Sequence, residues 1–177
     1  PLTKQQRGQQ PQQAARSSYS RPFANLVAYV LNTAVVFSIG VYGLLDLPTN
    51  GALSAKYQTL VTPIGWAFAI WSLIFATQGV WAVVCLFVNN VQIDAVGYKY
   101  VLVCLVQIAW SILFALERIP ESLGAMVAIW MSLVWIVCSL PATKRFTDVL
   151  WQLPFGIHAG WITAATAVNV NVVLQAE

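Results

Sequence analysis

Charged residues are scarce in this chain, and their scarcity excludes the class of soluble globular domains. Only 8% of the 177 residues are charged, 59% are hydrophobic, and the mean hydropathy is +0.70. A soluble domain carries roughly 25% charged residues. No charge occurs in the windows 22–45, 57–93, 100–116, 122–143 and 149–176. Each window approaches or exceeds the roughly 20 residues that a helix needs to cross a bilayer core.

Backbone polar groups in lipid must be satisfied within the spanning segment, so the uncharged windows predict helices. We expect an all-α membrane protein, a bundle of five transmembrane helices in one domain over residues 23–177. The expected spans cover about 23–45, 59–88, 97–116, 121–140 and 149–174. The second is predicted as one long helix, because Pro63 lies near its start. The polar, basic tail 1–22 lacks an apolar run and is expected to be disordered.

The basic residues are unevenly divided between the two sides of such a bundle. One side carries Lys4, Arg7, Arg16, Arg21, Lys99, Lys144 and Arg145, and the other carries only Lys56 and Arg118. The positive-inside rule therefore places the N-terminus in the cytosol, stroma or matrix. The charges form no basic cluster with interleaved exposed aromatic residues, so the sequence gives no nucleic-acid signal.

Acidic residues are absent before Asp46, and the tail contains Arg and Ser. Such N-termini are typical of organelle-targeted proteins, which favours a processed precursor in a plastid thylakoid or a mitochondrion. The alternative is a trimmed chain end whose tail simply follows the positive-inside rule.

The predicted spans contain no Asp, Glu, Lys or Arg in their interiors, and the chain has one histidine. General acid–base catalysis, nucleophilic catalysis and ion pumping would lack their usual groups, so we expect no enzyme. The three cysteines lie in three different spans without a CxxC pair. They are interpreted as packing residues.

Aromatic and amide side chains fall on common faces of three predicted helices. Residues three and four apart in a helix share a face. This spacing gives one stripe of residues on each of three spans: Trp71, Phe75 and Gln78 on the second; Gln107, Trp110, Ser111 and Phe114 on the third; and Pro154, His158, Trp161, Ala165 and Asn169 on the fifth. Polar groups at membrane depth usually face the bundle interior or a cavity. The stripes predict a ligand cavity between helices. The alternative is that these amides only bridge neighbouring helices.

Two further features lie on the last span. Gly156 and Gly160 form a GxxxG pair, which predicts a close helix–helix contact surface and is compatible with a homodimer. His158 is interpreted either as an axial ligand of a chlorophyll or haem metal or as a hydrogen-bonding partner of a neighbouring helix.

Several motifs resemble the TspO/MBR family, the tryptophan-rich sensory proteins and mitochondrial translocator proteins. The matching segments are Thr62–Trp71 (TPIGWAFAIW), Trp110–Phe114 (WSILF), Arg118–Pro120 (RIP), and Leu153–Phe155 (LPF) followed by Trp161 and Asn169. The chain departs from the family pattern in having a single proline, Pro63, and Gln107 where Asn is usual. It therefore resembles a divergent member.

The resemblance implies a five-helix fold that binds apolar polycyclic ligands, porphyrins or sterols, for transport or sensing. It implies a pocket beneath the loop between the first two spans, formed by Trp66, Phe68, Trp71, Gln107, Trp110, Trp161 and Asn169. A second interpretation is an accessory subunit of an organellar membrane complex, such as a photosystem–antenna assembly. The candidate bound pigments are porphyrin, chlorophyll and carotenoid, and the lipid bilayer and other membrane subunits are the expected partners.

Overall fold

The computed structural model describes residues 4–88 and 90–176, and this part of the chain is built of helices and connections without a strand. The α-helices are α1 (Lys4–Val35), α2 (Asn50–Lys56), α3 (Ile70–Val84), α4 (Val91–Val96), α5 (Lys99–Ala115), α6 (Ile119–Ser139) and α7 (Phe146–Ala176). A π-helix (Val36–Val41) extends α1, and 3₁₀ turns cover Leu44–Asp46 and Gly65–Ala69.

Five of these helical segments are suited to a membrane, as the sequence predicts. In the described chain, Ser20–Val41, Gly65–Val84, Ile119–Ser139 and Phe146–Gln175 are long and apolar enough to cross a bilayer. Helix α5 is apolar but has 17 residues, about 25 Å at 1.5 Å per residue. It packs against α1 on one side and α6 on the other, as a member of the bundle. The five-helix membrane bundle is therefore confirmed.

The first helix begins earlier than the predicted first span. Residues 4–22 are not the disordered tail that the sequence predicts but continue α1 without a break, while residues 1–3 lie outside the described part. Gln and Arg account for nine residues of this segment, and both have favourable helix propensities. The membrane span already forms a helix, so the unfavourable nucleation step is complete and residues 4–22 only have to extend that helix.

The second span is shorter than the predicted helix over 59–88. The chain is non-helical from Gln58 to Ile64, with a turn closed by Thr62 N–H donating to the Thr59 carbonyl (3.1 Å), and helical structure starts at Gly65. Proline disfavours helical conformation in the residue before it, so Pro63 blocks an earlier start. The helix ends at Val84, and it remains one span.

Two short helices, α2 and α4, lie where the sequence predicts connections between the membrane spans. Thr49 caps α2 by accepting a hydrogen bond from Ala52 N–H (3.2 Å). Asn90 caps α4 by accepting one from Gln92 N–H (3.0 Å). Both are ordinary N-cap residues whose side chains satisfy a free N–H of the first turn.

Two membrane helices make a close contact at Gly79 of α3, where Tyr29 of α1 lies over the backbone. A Cβ at Gly79 would lie 2.5 Å from the Tyr29 hydroxyl oxygen, which donates to the Phe75 carbonyl (3.0 Å). The predicted contact surface at Gly156 and Gly160 faces outward instead. Cβ atoms there would meet nothing within 4 Å in the described chain.

Replacing Gly79 by alanine is therefore expected to lower stability by about 1–3 kcal/mol, because Tyr29 must move and lose its hydrogen bond. Thermal unfolding in detergent measures the effect. Gly156→Ala is the matched control, since its methyl group enters open space and raises helix propensity. Equal unfolding temperatures for the two variants would contradict the Tyr29 contact.

Candidate functional site

A cavity of about 680 Å³ lies between the π-helix that follows α1, the start of α3 and the second half of α7. Helix α2 and the connection to α3 line one side of it, and we call residues 49–64 the lid. The deep wall is aromatic and aliphatic, with Trp110, Phe114 and Met126 among its residues. Ala55, Gln58 and Gly65 line the cavity and are exposed to solvent, and we call them the mouth.

Trp71 stands at the centre of the aromatic wall. Its ring centroid lies 5.9 Å from that of Phe75 and 6.2 Å from that of Trp161, which it meets edge-on. Trp161 in turn meets Phe68 edge-on at 5.8 Å. Edge-to-face pairs at these distances are favourable aromatic contacts. The contacts fix α3 against α7 through rings that also line the cavity.

The structure brings together five of the seven pocket residues named from the resemblance. The residues on the cavity wall are Phe68, Trp71, Trp110, Trp161 and Asn169. Trp66 does not line the cavity and is 76% exposed, because the 3₁₀ turn directs it outward. Gln107 is buried away from the cavity and accepts a hydrogen bond from Asn32 of α1 (3.3 Å). Neither residue lines this cavity, and their roles in ligand binding stay predictions.

The sequence pattern does not reveal the lid residues that line the cavity. Asn50, Leu53 and Ser54 of α2 face it, and Leu53 is fully buried. The Asn50-Gly51 pair by itself predicts a turn, although Thr49 is a good N-cap residue directly before it. That cap was the available signal for a lid helix.

His158 belongs to a buried polar network rather than to the cavity wall. Its Nδ1 lies 2.9 Å from the Gln78 amide nitrogen, and the Gln78 amide oxygen accepts from the Tyr100 hydroxyl (3.1 Å). All three side chains are buried, so the network ties α3, α5 and α7 together inside the bundle. The ring of Trp71 packs against His158, with centroids 5.8 Å apart. The described residues contain no group of three His, Cys, Asp or Glu suited to a metal.

An ion pair fastens the lid to the hairpin between α5 and α6. Lys56 and Tyr57, at the end of α2, both donate to the Glu117 carboxylate, the tyrosine at 2.5 Å. Those hydrogen bonds, from Lys56 first and then Tyr57, lower the pKa of Glu117 below its ordinary 4.5. The hydrogen bond to Glu117 likewise raises the pKa of Lys56 above 10.5. We call this contact the clamp.

The match to a protein family decides the class of the chain. The family model described as TSPO-like protein matches residues 22–177, which include all five membrane helices and the lid. The chain belongs to the TSPO-like family. No curated protein and no solved structure gives a significant match. The TSPO-like chain is therefore an integral, multi-pass membrane protein.

The clamp of this TSPO-like protein is expected to open in acid. Because the pKa of Glu117 is lowered, its contribution is present above pH 4.5 and is lost as the pH falls through that lowered value. Because the pKa of Lys56 is raised, its contribution is complete below pH 10.5 and is lost as the pH rises beyond the raised value. A spin label on Ala52→Cys in a Cys138→Ser background reports lid mobility, since both positions are exposed.

We expect label mobility to increase below about pH 4.5, and Glu117→Gln to be mobile already at neutral pH. Glu121→Gln is the matched control, because Glu121 pairs with Arg118 of its own hairpin and not with the lid. High salt should weaken the exposed clamp in the same direction. If the label mobility does not change with pH while Glu117 is intact, the clamp does not hold the lid.

Proposed function

We propose that the protein binds an apolar polycyclic ligand, a tetrapyrrole or a sterol, in the cavity beneath the lid, as a step in transport or sensing of that ligand. The observation that carries the proposal is the cavity of about 680 Å³ walled by Phe68, Trp71, Trp110 and Trp161. Ligand pockets for small molecules have volumes of roughly 300–1,000 Å³ and are mostly apolar with a few polar groups. Asn169 and the lid hydroxyls are such polar groups.

The geometry of the rings supports a flat ligand. Trp110 and Phe114 stack nearly parallel at 5.2 Å, with 12° between their planes, and both line the cavity. On the other side, Trp71 and Trp161 meet at 82° and also line it. A planar ring system gains dispersion and offset-stacking contacts with such walls.

The family membership supports the same proposal, because the match covers the cavity-forming segments and is not confined to hydrophobic spans. The resemblance in the sequence implies porphyrin or sterol binding, and five of its seven implied residues lie on the wall. The lid supports a gated site, since its release from Glu117 would widen the mouth.

Trp71→Ala is expected to weaken binding of a porphyrin about tenfold, because it removes the ring at the centre of the wall. A tenfold change corresponds to about 1.4 kcal/mol, the size expected for a lost aromatic contact. The measurement is a titration of porphyrin absorbance and fluorescence with the purified protein in lipid nanodiscs. The same titration with a fluorescent sterol tests the second ligand class.

Trp66→Ala is the matched control within the same segment, since Trp66 is exposed and off the wall. We expect its affinity to equal that of the wild-type protein. If Trp66→Ala weakens binding as much as Trp71→Ala, the ligand lies elsewhere. If neither a porphyrin nor a sterol binds saturably, and the protein co-migrates with a larger complex in its native membrane, the accessory-subunit interpretation replaces the proposal.

A further inference from the structure

The cavity wall carries no formal charge. Among the described residues that line it there is no Asp, Glu, Lys, Arg or His. Its polar groups are neutral hydroxyls and amides, for example Thr49, Ser54 and Gln58 on the lid and Asn169 on α7. These groups supply hydrogen bonds to a neutral substituent. They supply no counter-charge to an ionised one.

The charges nearest to the mouth are already paired. Lys56 lies between Ala55 and Tyr57, which both line the cavity, but its ammonium group is held by Glu117. Arg118, the next residue of the hairpin, pairs with Glu121 through Nε at 3.0 Å. Asp46 is the other charged residue of the loop between the first two spans, and it is an anion. A ligand carboxylate at the mouth would have to displace Glu117 from Lys56.

Taking an ionised carboxylate out of water without a counter-charge is strongly unfavourable, whereas a hydroxyl or ester needs only a hydrogen bond. We infer that the cavity selects uncharged polycyclic ligands, with hydroxyl, carbonyl or ester substituents, over the same ring systems bearing ionised carboxylates. This inference rests on the proposed function and adds to it the charge class of the ligand. For a tetrapyrrole, the bound form is then the esterified or otherwise neutral one.

The test compares one ring system in two charge states, a porphyrin diacid and its dimethyl ester, at pH 7 in nanodiscs of zwitterionic lipid. Cavity binding is defined as the saturable component of binding that is lost in Ala165→Trp, a variant whose indole fills the cavity. Subtracting the signal of this variant removes the contribution of porphyrin that partitions into the lipid. We expect the ester to bind at least about tenfold more tightly than the diacid. Equal affinities, or tighter binding of the diacid, overturn the inference while leaving the proposed function in place. If neither porphyrin shows the cavity component, the tetrapyrrole proposal and the inference both fail.

A lysine introduced on the wall provides the second arm. Gln58→Lys adds a cation at the mouth, and we expect it to reduce the ester-to-diacid affinity ratio about fivefold or more. Leu60→Lys is the control, since Leu60 is fully exposed and does not line the cavity. Glu117→Gln should also reduce the ratio, because it frees Lys56 for the diacid. The ratio cancels any change in lid mobility, which affects both ligands alike. A ratio that none of these substitutions alters would contradict selection by charge.

Discussion

A tryptophan in place of Ala165 is expected to abolish saturable porphyrin or sterol binding, with a loss on the order of a hundredfold, or about 2.7 kcal/mol. Ala165 lines the cavity one helical turn after Trp161 and one turn before Asn169, which are both on the wall. An indole at this position would occupy the space in which the ligand ring lies. The change is from the smallest side chain of the α7 stripe to the largest.

Ala164→Trp is the matched control, because Ala164 is the adjacent residue of the same helix and is exposed on the outer face. The same titration in nanodiscs should give wild-type affinity for Ala164→Trp. Circular dichroism and unfolding temperature establish that both variants are folded. Retained binding in a folded Ala165→Trp protein would show that the cavity between α3 and α7 is not the ligand site.

Gln78→Leu is expected to destabilise the bundle more than Gly79→Ala does, by about 2–4 kcal/mol, since each unsatisfied buried group costs about 1–3 kcal/mol. Gln78 satisfies two buried partners at once, His158 on α7 and Tyr100 on α5. Leucine would leave both without this partner. Membrane helices show smaller values per hydrogen bond, about 0.6 kcal/mol on average, so the lower end of the range applies if the two groups find other partners.

Unfolding by sodium dodecyl sulfate or by heat in mild detergent measures this effect. Thr77→Val is the control, since the Thr77 hydroxyl bonds only to carbonyls of its own helix, Leu73 at 2.8 Å and Ile74 at 3.1 Å. In a double-mutant cycle, Tyr100→Phe should cost less in the Gln78→Leu background than in the wild-type protein. Additive effects of the two substitutions would refute a shared hydrogen-bond network.

Helix periodicity located part of the candidate site. The spacing of Trp71 and Phe75 on one helix, and of Trp161, Ala165 and Asn169 on another, placed each set on one face, and all five line the cavity. The same periodicity placed Gln78 and His158 on these stripes, but they pack behind the wall. A helical face is broad, and its spacing does not distinguish a side chain at the cavity from one turned toward a neighbouring helix.

Other parts of the site could not be obtained from spacing. Trp66 does not line the cavity, because Pro63 delays the helix and the following 3₁₀ turn has a different period from an α-helix. Gln107 points toward α1 because it accepts a hydrogen bond from Asn32, which is 75 residues away in the chain. Cβ atoms at Gly156 and Gly160 of the GxxxG pair would meet no neighbour in the described chain, whereas a close helix contact forms at Gly79, because Tyr29 lies there.

Composition and the uncharged windows alone indicate a membrane bundle of five helices, and the motifs show which family the chain resembles. Those properties depend on composition and on local hydrophobicity, because every backbone group in lipid must be satisfied within its own segment. The folded structure is needed to show which faces of the helices enclose the cavity, that α2 covers it, and that Glu117 holds the lid through Lys56 and Tyr57. These contacts join residues about 60 positions apart. In lipid the hydrophobic effect does not rank one apolar face above another, so shape and the few polar groups select the partners.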